Sequence, residues 1–138
     1  MFDAGLFLPV LVQVALTFLL GLPTAALRWR AAMRRDVHPK DIALGQRAWP
    51  RRVQQVSNAF NNQWETPTLF YAGIAFAMIA EESGGALVGL AWFFVAARVV
   101  HALVYVTTNN VPLRFAVFIL GYAALALFWV ELAGRALR

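Results

Sequence analysis

Four apolar segments follow one another along the chain, and polar stretches separate them. Three of these segments, at residues 6–27, 86–106 and 112–132, are each at least 21 residues long and contain at most two charged side chains. A helix needs about 20 predominantly apolar residues to cross a bilayer. The pattern therefore predicts transmembrane helices over these three ranges.

The remaining segment, which we assign to residues 56–80, has a purely apolar part of only twelve residues, 69–80. The preceding stretch, residues 53–66, continues the helical periodicity with one polar face, so we predict a single helix of about 28 residues and about 42 Å. Its polar half must be sheltered by protein, because lipid offers no hydrogen bonds. The sequence thus predicts an all-α integral membrane four-helix bundle that occupies residues 1–138 as one domain.

Composition agrees with a membrane protein and excludes several other classes. The chain is 61% hydrophobic and 14% charged, whereas soluble domains are about 45–50% apolar and about 25% charged. These values exclude a soluble enzyme domain and a disordered tail. The absence of cysteine excludes a disulfide-rich secreted module. It also means that any thiol used by the protein must arrive with a ligand.

The positive charges indicate the orientation of the helices. Eight of the twelve Lys and Arg residues lie between Arg28 and Arg52, as expected for a cytoplasmic loop, here residues 28–55, between two spans. Both termini are then predicted outside, and the strong bias towards Arg suggests a bacterial inner membrane. Nucleic-acid binding by the same basic stretch is the alternative, but the apolar spans on both sides favour a topological role and no nucleic-acid partner.

Polar side chains inside the spans are the candidates for function, because they are costly in hydrocarbon. Helical spacing puts three of them on one face of the second predicted helix and three on one face of the third. The predicted topology brings both faces to one layer near the cytoplasmic interface. These residues are Asn58, Asn62 and Glu65 on the second helix, and Arg98, His101 and Tyr105 on the third.

Each of these residues also has a structural interpretation. Arg28 and Arg30, at the end of the first span, can extend to the lipid headgroups, and the asparagines can form interhelical hydrogen bonds. Glu65 and Arg98 can form a buried ion pair. His101 can be a histidine of the core, and no second histidine lies close enough in the sequence to suggest a metal site.

Arg114 is harder to explain structurally, since it falls in the first turn of the fourth predicted helix. Asn110 is the expected N-cap and Pro112 is suited to the first turn. A cation at this end opposes the helix macrodipole, so the arrangement is unfavourable without an anion. With an anionic ligand, the free N–H groups and the guanidinium would act together, and they would lower the pKa of a ligand thiol from about 8.5.

Two motifs at these positions resemble those of the MAPEG family, the membrane-associated proteins of eicosanoid and glutathione metabolism. Residues 62–67, Asn-Gln-Trp-Glu-Thr-Pro, are similar to the N-x-x-E-x-P motif of its second helix. Arg98, His101 and Tyr105, followed by Pro112 and Arg114, are similar to R-x-x-H/Y-x-x-x-Y and P-x-R. Together the motifs and the predicted spans extend the resemblance over nearly the whole chain.

The resemblance implies a homotrimer in the lipid bilayer that binds glutathione between subunits and acts on small lipophilic substrates by conjugation, hydroperoxide reduction or isomerisation. By motif position, Arg114 would stabilise the glutathione thiolate, and Arg98 would serve the structure. The residues implied to contact glutathione are Arg28, Asn62, Glu65, His101 and Tyr105.

The chain also departs from the family pattern. Asn58 and Asn61 stand where glutathione-using members typically have arginines, and Phe115 and Phe118 stand where better-known members have hydroxyl residues. Each lost charge-assisted contact weakens binding by about tenfold or more. Two hypotheses therefore follow: a glutathione-dependent transferase or peroxidase, and a non-catalytic protein of the same fold that acts as an accessory subunit or binds another anion. An ion carrier is disfavoured because the outer halves of the helices contain almost no polar path.

Overall fold

Helices account for the regular structure in the computed structural model, which describes residues 4–45 and 48–137. Within these residues five helices are longer than one turn, and no strand is present. The helices are α1 (Ala4–Met33), the single turn α2 (Pro39–Ile42), α3 (Arg51–Asn61), α4 (Thr66–Ile79), α5 (Gly85–Val106) and α6 (Val111–Ala136), with a 3-10 turn at Asn62–Trp64 between α3 and α4.

Three of the helices, α1, α5 and α6, are long and apolar enough to cross a membrane, with 30, 22 and 26 residues. They contain the three long apolar ranges of the sequence, which supports an integral membrane protein. Helix α1 continues to Met33, six residues beyond the predicted end of its span. Arg28 and Arg30 consequently lie on the helix itself and not in the basic loop.

The prediction of one continuous second helix, and with it the four-helix bundle, is wrong. Residues 51–79 instead form α3 and α4, and Glu65 between them has the non-helical backbone angles φ −89° and ψ −106°. Pro67 explains the break, because it has no N–H to donate to the carbonyl of Gln63 and its ring collides with that carbonyl in a continuous helix. The 14 residues of α4 span about 21 Å, which is less than the thickness of a bilayer core.

The largest apolar core lies where the start of α1 meets the later parts of α4 and α6 and the first half of α5. Phe70, Phe94 and Phe128 are its largest side chains and are at most 1% exposed, and the rings of Phe70 and Phe94 stack with centroids 4.7 Å apart. Lipid tails are as apolar as these side chains, so close van der Waals packing rather than exclusion of water stabilises the contacts. The candidate site residues lie outside this core.

Close packing of α4 against α6 depends on Gly73. A Cβ atom at this position would lie 2.9 Å from Cε1 of Phe128 and 3.3 Å from Cε2 of Trp129. We expect Gly73→Val to destabilise the detergent-solubilised protein by about 1–3 kcal/mol, because the two rings must shift. Thermal unfolding followed by circular dichroism measures the loss. The matched control is Gly89→Val, where an added Cβ meets nothing within 4 Å; equal losses in both variants would contradict the packing argument.

Candidate functional site

A polar cavity of about 260 Å³ lies between the turn that joins α3 to α4, the end of α5 and the start of α6. Five of the six residues proposed from the sequence line it, and three apolar residues complete its wall. The lining residues are Asn62, Glu65, His101, Tyr105, Val111, Arg114, Phe115 and Phe118.

The break between α3 and α4 supplies two of these side chains. Asn62 begins the 3-10 turn, Glu65 immediately precedes α4, and Nδ2 of Asn62 donates to Oε2 of Glu65 at 2.9 Å. Asn62 is partly buried, whereas Glu65 is exposed in the single chain. The carboxylate of Glu65 therefore remains available to a cationic group of a ligand.

Arg98 reaches this turn from α5. It is only 2% exposed, and its Nη2 donates to the main-chain oxygen of Asn62 at 2.9 Å and to Oδ1 of Asn62 at 2.7 Å. The ion pairs found in residues 4–45 and 48–137 involve Arg135 with Glu82 and Glu131, so Arg98 and Glu65 do not form one directly. Instead, Asn62 stands between the two charges and links them through its amide.

The turn between α5 and α6 positions Arg114. Oδ1 of Asn110 accepts from the N–H of Leu113 at 3.0 Å, which confirms the predicted N-cap of α6. The guanidinium carbon of Arg114 lies 3.9 Å from the centre of the Tyr105 ring, and Nη1 of Arg114 donates to Oδ1 of Asn109 at 2.6 Å. Both partners are uncharged. Among the described residues no carboxylate lies within ion-pair distance of Arg114.

His101 lines the cavity and is 4% exposed. Its ring packs against Tyr105, with centroids 5.8 Å apart, and against Phe118 at 6.0 Å. Nδ1 of His101 has no hydrogen-bond partner among the described residues. The ring of His101 is thus packed between two aromatic side chains, and its buried Nδ1 is unpaired among the described residues.

Arg28 is the one predicted site residue that lines a different cavity. Its Nε donates to Oγ of Ser57 at 2.9 Å, and its guanidinium carbon lies 5.3 Å from the centre of the Trp49 ring. The cavity beside it has a volume of about 550 Å³ and a mostly apolar wall formed by α1, α3, the 3-10 turn and α4. Buried Gln63 contributes to this wall and accepts a hydrogen bond from Gln13 at 3.0 Å.

The residues that depart from the family pattern have separate locations. Phe115 and Phe118 line the polar cavity beside Arg114. Asn58 does not line it and accepts a hydrogen bond from Gln54 at 2.6 Å, and Asn61 is exposed. Positions 58 and 61, where the family pattern has arginine, thus contribute no side chain to the cavity wall in this chain.

Sequence reasoning missed two groups of residues that shape the site. Gln55 donates to the main-chain oxygen of Tyr105 at 2.7 Å, and Arg52 donates to that of Val106. Side chains at the start of α3 therefore bond carbonyl groups in the last turn of α5. Asn109 holds Arg114 and has a positive φ of 51°. The pair Asn109-Asn110 before Val-Pro was a usable indication, since asparagine tolerates left-handed backbone and also caps helices.

Comparison with known proteins gives a single family. The sequence model described as MAPEG family matches residues 6–134, a range that contains every residue of the polar cavity. No curated protein and no solved structure gives a significant match to the chain. The family match covers well over half of the 138 residues.

Proposed function

This chain belongs to the MAPEG family, and we propose that it is a membrane-bound glutathione-dependent transferase or peroxidase that acts on lipophilic electrophiles. The family includes such enzymes and also non-catalytic members. The observation that carries the proposal is the position of Arg114, a cation in the first turn of α6 that contacts neutral Tyr105 and Asn109 and has no ion pair among the described residues. Such a cation beside a helix N-terminus is suited to an anion, and in a glutathione site that anion is the thiolate.

The other residues of the cavity fit the remaining groups of glutathione. The exposed carboxylate of Glu65 would accept hydrogen bonds from the α-ammonium group. Asn62, His101 and Tyr105 would bond to peptide and carboxylate oxygens or lie against the tripeptide. With the thiol placed beside Arg114, the guanidinium would lower the thiol pKa and raise the thiolate fraction at neutral pH.

The thiolate is the nucleophile in both reactions that we propose. In conjugation, the thiol proton goes to solvent, the sulfur lone pair forms a bond to an electrophilic carbon, and the leaving group departs with the bonding electron pair. In hydroperoxide reduction, two glutathione molecules are oxidised to the disulfide while one hydroperoxide is reduced to an alcohol and water. Neither reaction needs a protein cysteine.

We also propose that the active form is a homotrimer. The polar cavity of one chain is about 260 Å³, below the range of about 300–1,000 Å³ typical of small-molecule sites, so a neighbouring subunit would complete it. Arg28 supports this assembly, because it lines the separate cavity of its own chain and would meet glutathione only from a neighbouring one. Most residues in the apolar stretches of α1, α5 and α6 are also not buried within the chain, which leaves surface for lipid and for other subunits.

A non-catalytic member of the family is the second candidate. Two departures from the family pattern favour it. Phe115 and Phe118 make the region beside Arg114 apolar, and no arginine stands at position 58 or 61. Such a protein would bind another anion or act as an accessory subunit. For either function we propose a bacterial inner membrane, with residues 28–55 cytoplasmic and both termini outside.

Thermal stabilisation by glutathione tests the proposed function. We expect millimolar reduced glutathione to raise the unfolding temperature of the detergent-purified protein and to produce the ultraviolet absorbance of a thiolate. A ligand at 100 times its Kd stabilises by about 2.7 kcal/mol, which is readily measured. The S-methyl derivative, which cannot ionise at sulfur, should give a smaller shift and no thiolate band.

Two results would count against the proposal. The absence of both a thermal shift and a thiolate band would remove glutathione as the ligand and favour the non-catalytic candidate. Native mass spectrometry that gave only monomers or dimers, from a sample that retained its thermal stability, would contradict the trimer.

A further inference from the structure

The turn between α5 and α6 contains a residue whose backbone and side chain both bear on Arg114. Asn109 has a positive φ of 51°, and its N–H donates to the carbonyl of Val104 at 2.8 Å, which ends α5. Its Oδ1 accepts from Nη1 of Arg114 at 2.6 Å. The same residue therefore ends one helix and contacts the guanidinium carried by the next.

The two contacts of Arg114 restrict different motions of its side chain. Packing on the Tyr105 ring at 3.9 Å holds the guanidinium over the ring but allows it to slide and turn there. The hydrogen bond to Asn109 fixes the direction in which Nη1 points. A free arginine side chain has many rotamers, so fixing it before a ligand arrives lowers the entropic cost of binding and of catalysis.

The chemistry of the acceptor matters as much as its position. A carboxylate at residue 109 would also accept from Nη1, but it would neutralise the charge that the proposed thiolate needs. An amide oxygen orients the guanidinium and leaves its net charge intact. Asparagine is also one of the few residues other than glycine that adopt positive φ readily. Both requirements are met by the residue found there.

We propose that Asn109 is a positioning residue for Arg114, one that orients the guanidinium towards the bound thiolate without neutralising it. The proposal rests on the proposed function for its catalytic consequence, whereas the contact itself can be tested without glutathione. Asn109 does not line the cavity, so its effect passes through Arg114.

The test uses two substitutions at residue 109. Asn109→Gly keeps the positive φ and removes the acceptor, and we expect about a tenfold fall in kcat for conjugation with less than a threefold change in KM for glutathione, since one hydrogen bond to a charged group is lost. Asn109→Asp keeps the acceptor and adds a negative charge. We expect it to shift the pH profile of activity to higher pH, because the thiol of bound glutathione becomes harder to ionise.

Thr108→Asp is the control for added charge in the same turn. Thr108 accepts a long hydrogen bond of 3.4 Å from the N–H of Asn110 and is exposed. An aspartate there should leave the pH profile within a few tenths of a pH unit of the wild type. If Thr108→Asp shifts the profile as far as Asn109→Asp, the effect is one of general charge and the positioning role is wrong.

Chemical modification of Arg114 separates this inference from the proposed function. Without glutathione, phenylglyoxal should modify Arg114 several-fold faster in Asn109→Gly than in the wild type, measured by peptide mass spectrometry, because Nη1 is no longer held. If the wild-type protein forms no thiolate, the proposed function is overturned. The modification rates would still show whether Asn109 holds the Arg114 side chain. Equal rates in the two folded proteins would overturn the positioning role of Asn109.

Discussion

We expect Arg114→Ala to lower the rate of the proposed glutathione conjugation by about 100-fold or more and to remove the thiolate band of bound glutathione, while the protein keeps its fold. The reason is electrostatic, since Arg114 is the cation that faces the proposed thiolate, and loss of one preorganised charge-stabilising donor costs about 100-fold to 1,000-fold in kcat. Stability should change little, because the substitution also removes a cation that opposes the α6 macrodipole, an effect of about 0.3–1 kcal/mol. Stopped-flow absorbance and thermal unfolding measure the two quantities.

The pH dependence gives the sharper result for this variant. A positive charge beside the thiol lowers its pKa, so the wild type should hold the thiolate at neutral pH, and Arg114→Ala should need a pH near or above the ordinary thiol pKa of about 8.5. Arg114→Lys keeps the charge but cannot retain the planar stacking on Tyr105, and it should recover only part of the rate. An Arg114→Ala protein with wild-type rate and pH profile would refute the role assigned to Arg114.

Arg98→Met destabilises the protein by about 3 kcal/mol, which is the largest stability effect that we expect from a single substitution at the site. Methionine preserves most of the volume but removes the two hydrogen bonds that Arg98 donates to Asn62. Each bond to a charged donor contributes about 1.5–3 kcal/mol, and the two oxygens of Asn62 lose this donor. Reversible unfolding in mixed micelles measures the loss, and the glutathione-induced thermal shift should fall with it because Asn62 orients Glu65.

Arg135→Met is the matched control for this prediction. The side chain of Arg135 is 34% exposed and pairs with Glu131 at 2.7 Å and with Glu82 at 3.8 Å. Exposed ion pairs contribute about 0–1 kcal/mol, so the same substitution there should be mild. If Arg98→Met proves no more destabilising than Arg135→Met, the link from Arg98 through Asn62 does not support the turn between α3 and α4.

The sequence predicted those features that depend on local properties of the chain. Long uncharged apolar runs identified the three helices able to cross a membrane, since span length is set by bilayer thickness. Helical spacing and the cap at Asn110 made His101, Tyr105 and Arg114 candidates, and all three line one cavity. The break before α4 also has a local cause, because Pro67 cannot continue a helix. Sequence reasoning missed it because the polar face of residues 53–66 follows helical periodicity up to the proline.

The tertiary structure alone decided which groups meet. Asn62 stands between Glu65 and Arg98, and Arg28 lines another cavity. The hydrogen bond from Arg114 to Asn109 lies in a turn where Asn109 has a positive φ. Spacing along a helix determines its faces, whereas the rotation and offset of one helix against another follow from packing of the whole set. The sequence by itself therefore determined which residues were available to the site, and the packing of the helices decided their partners.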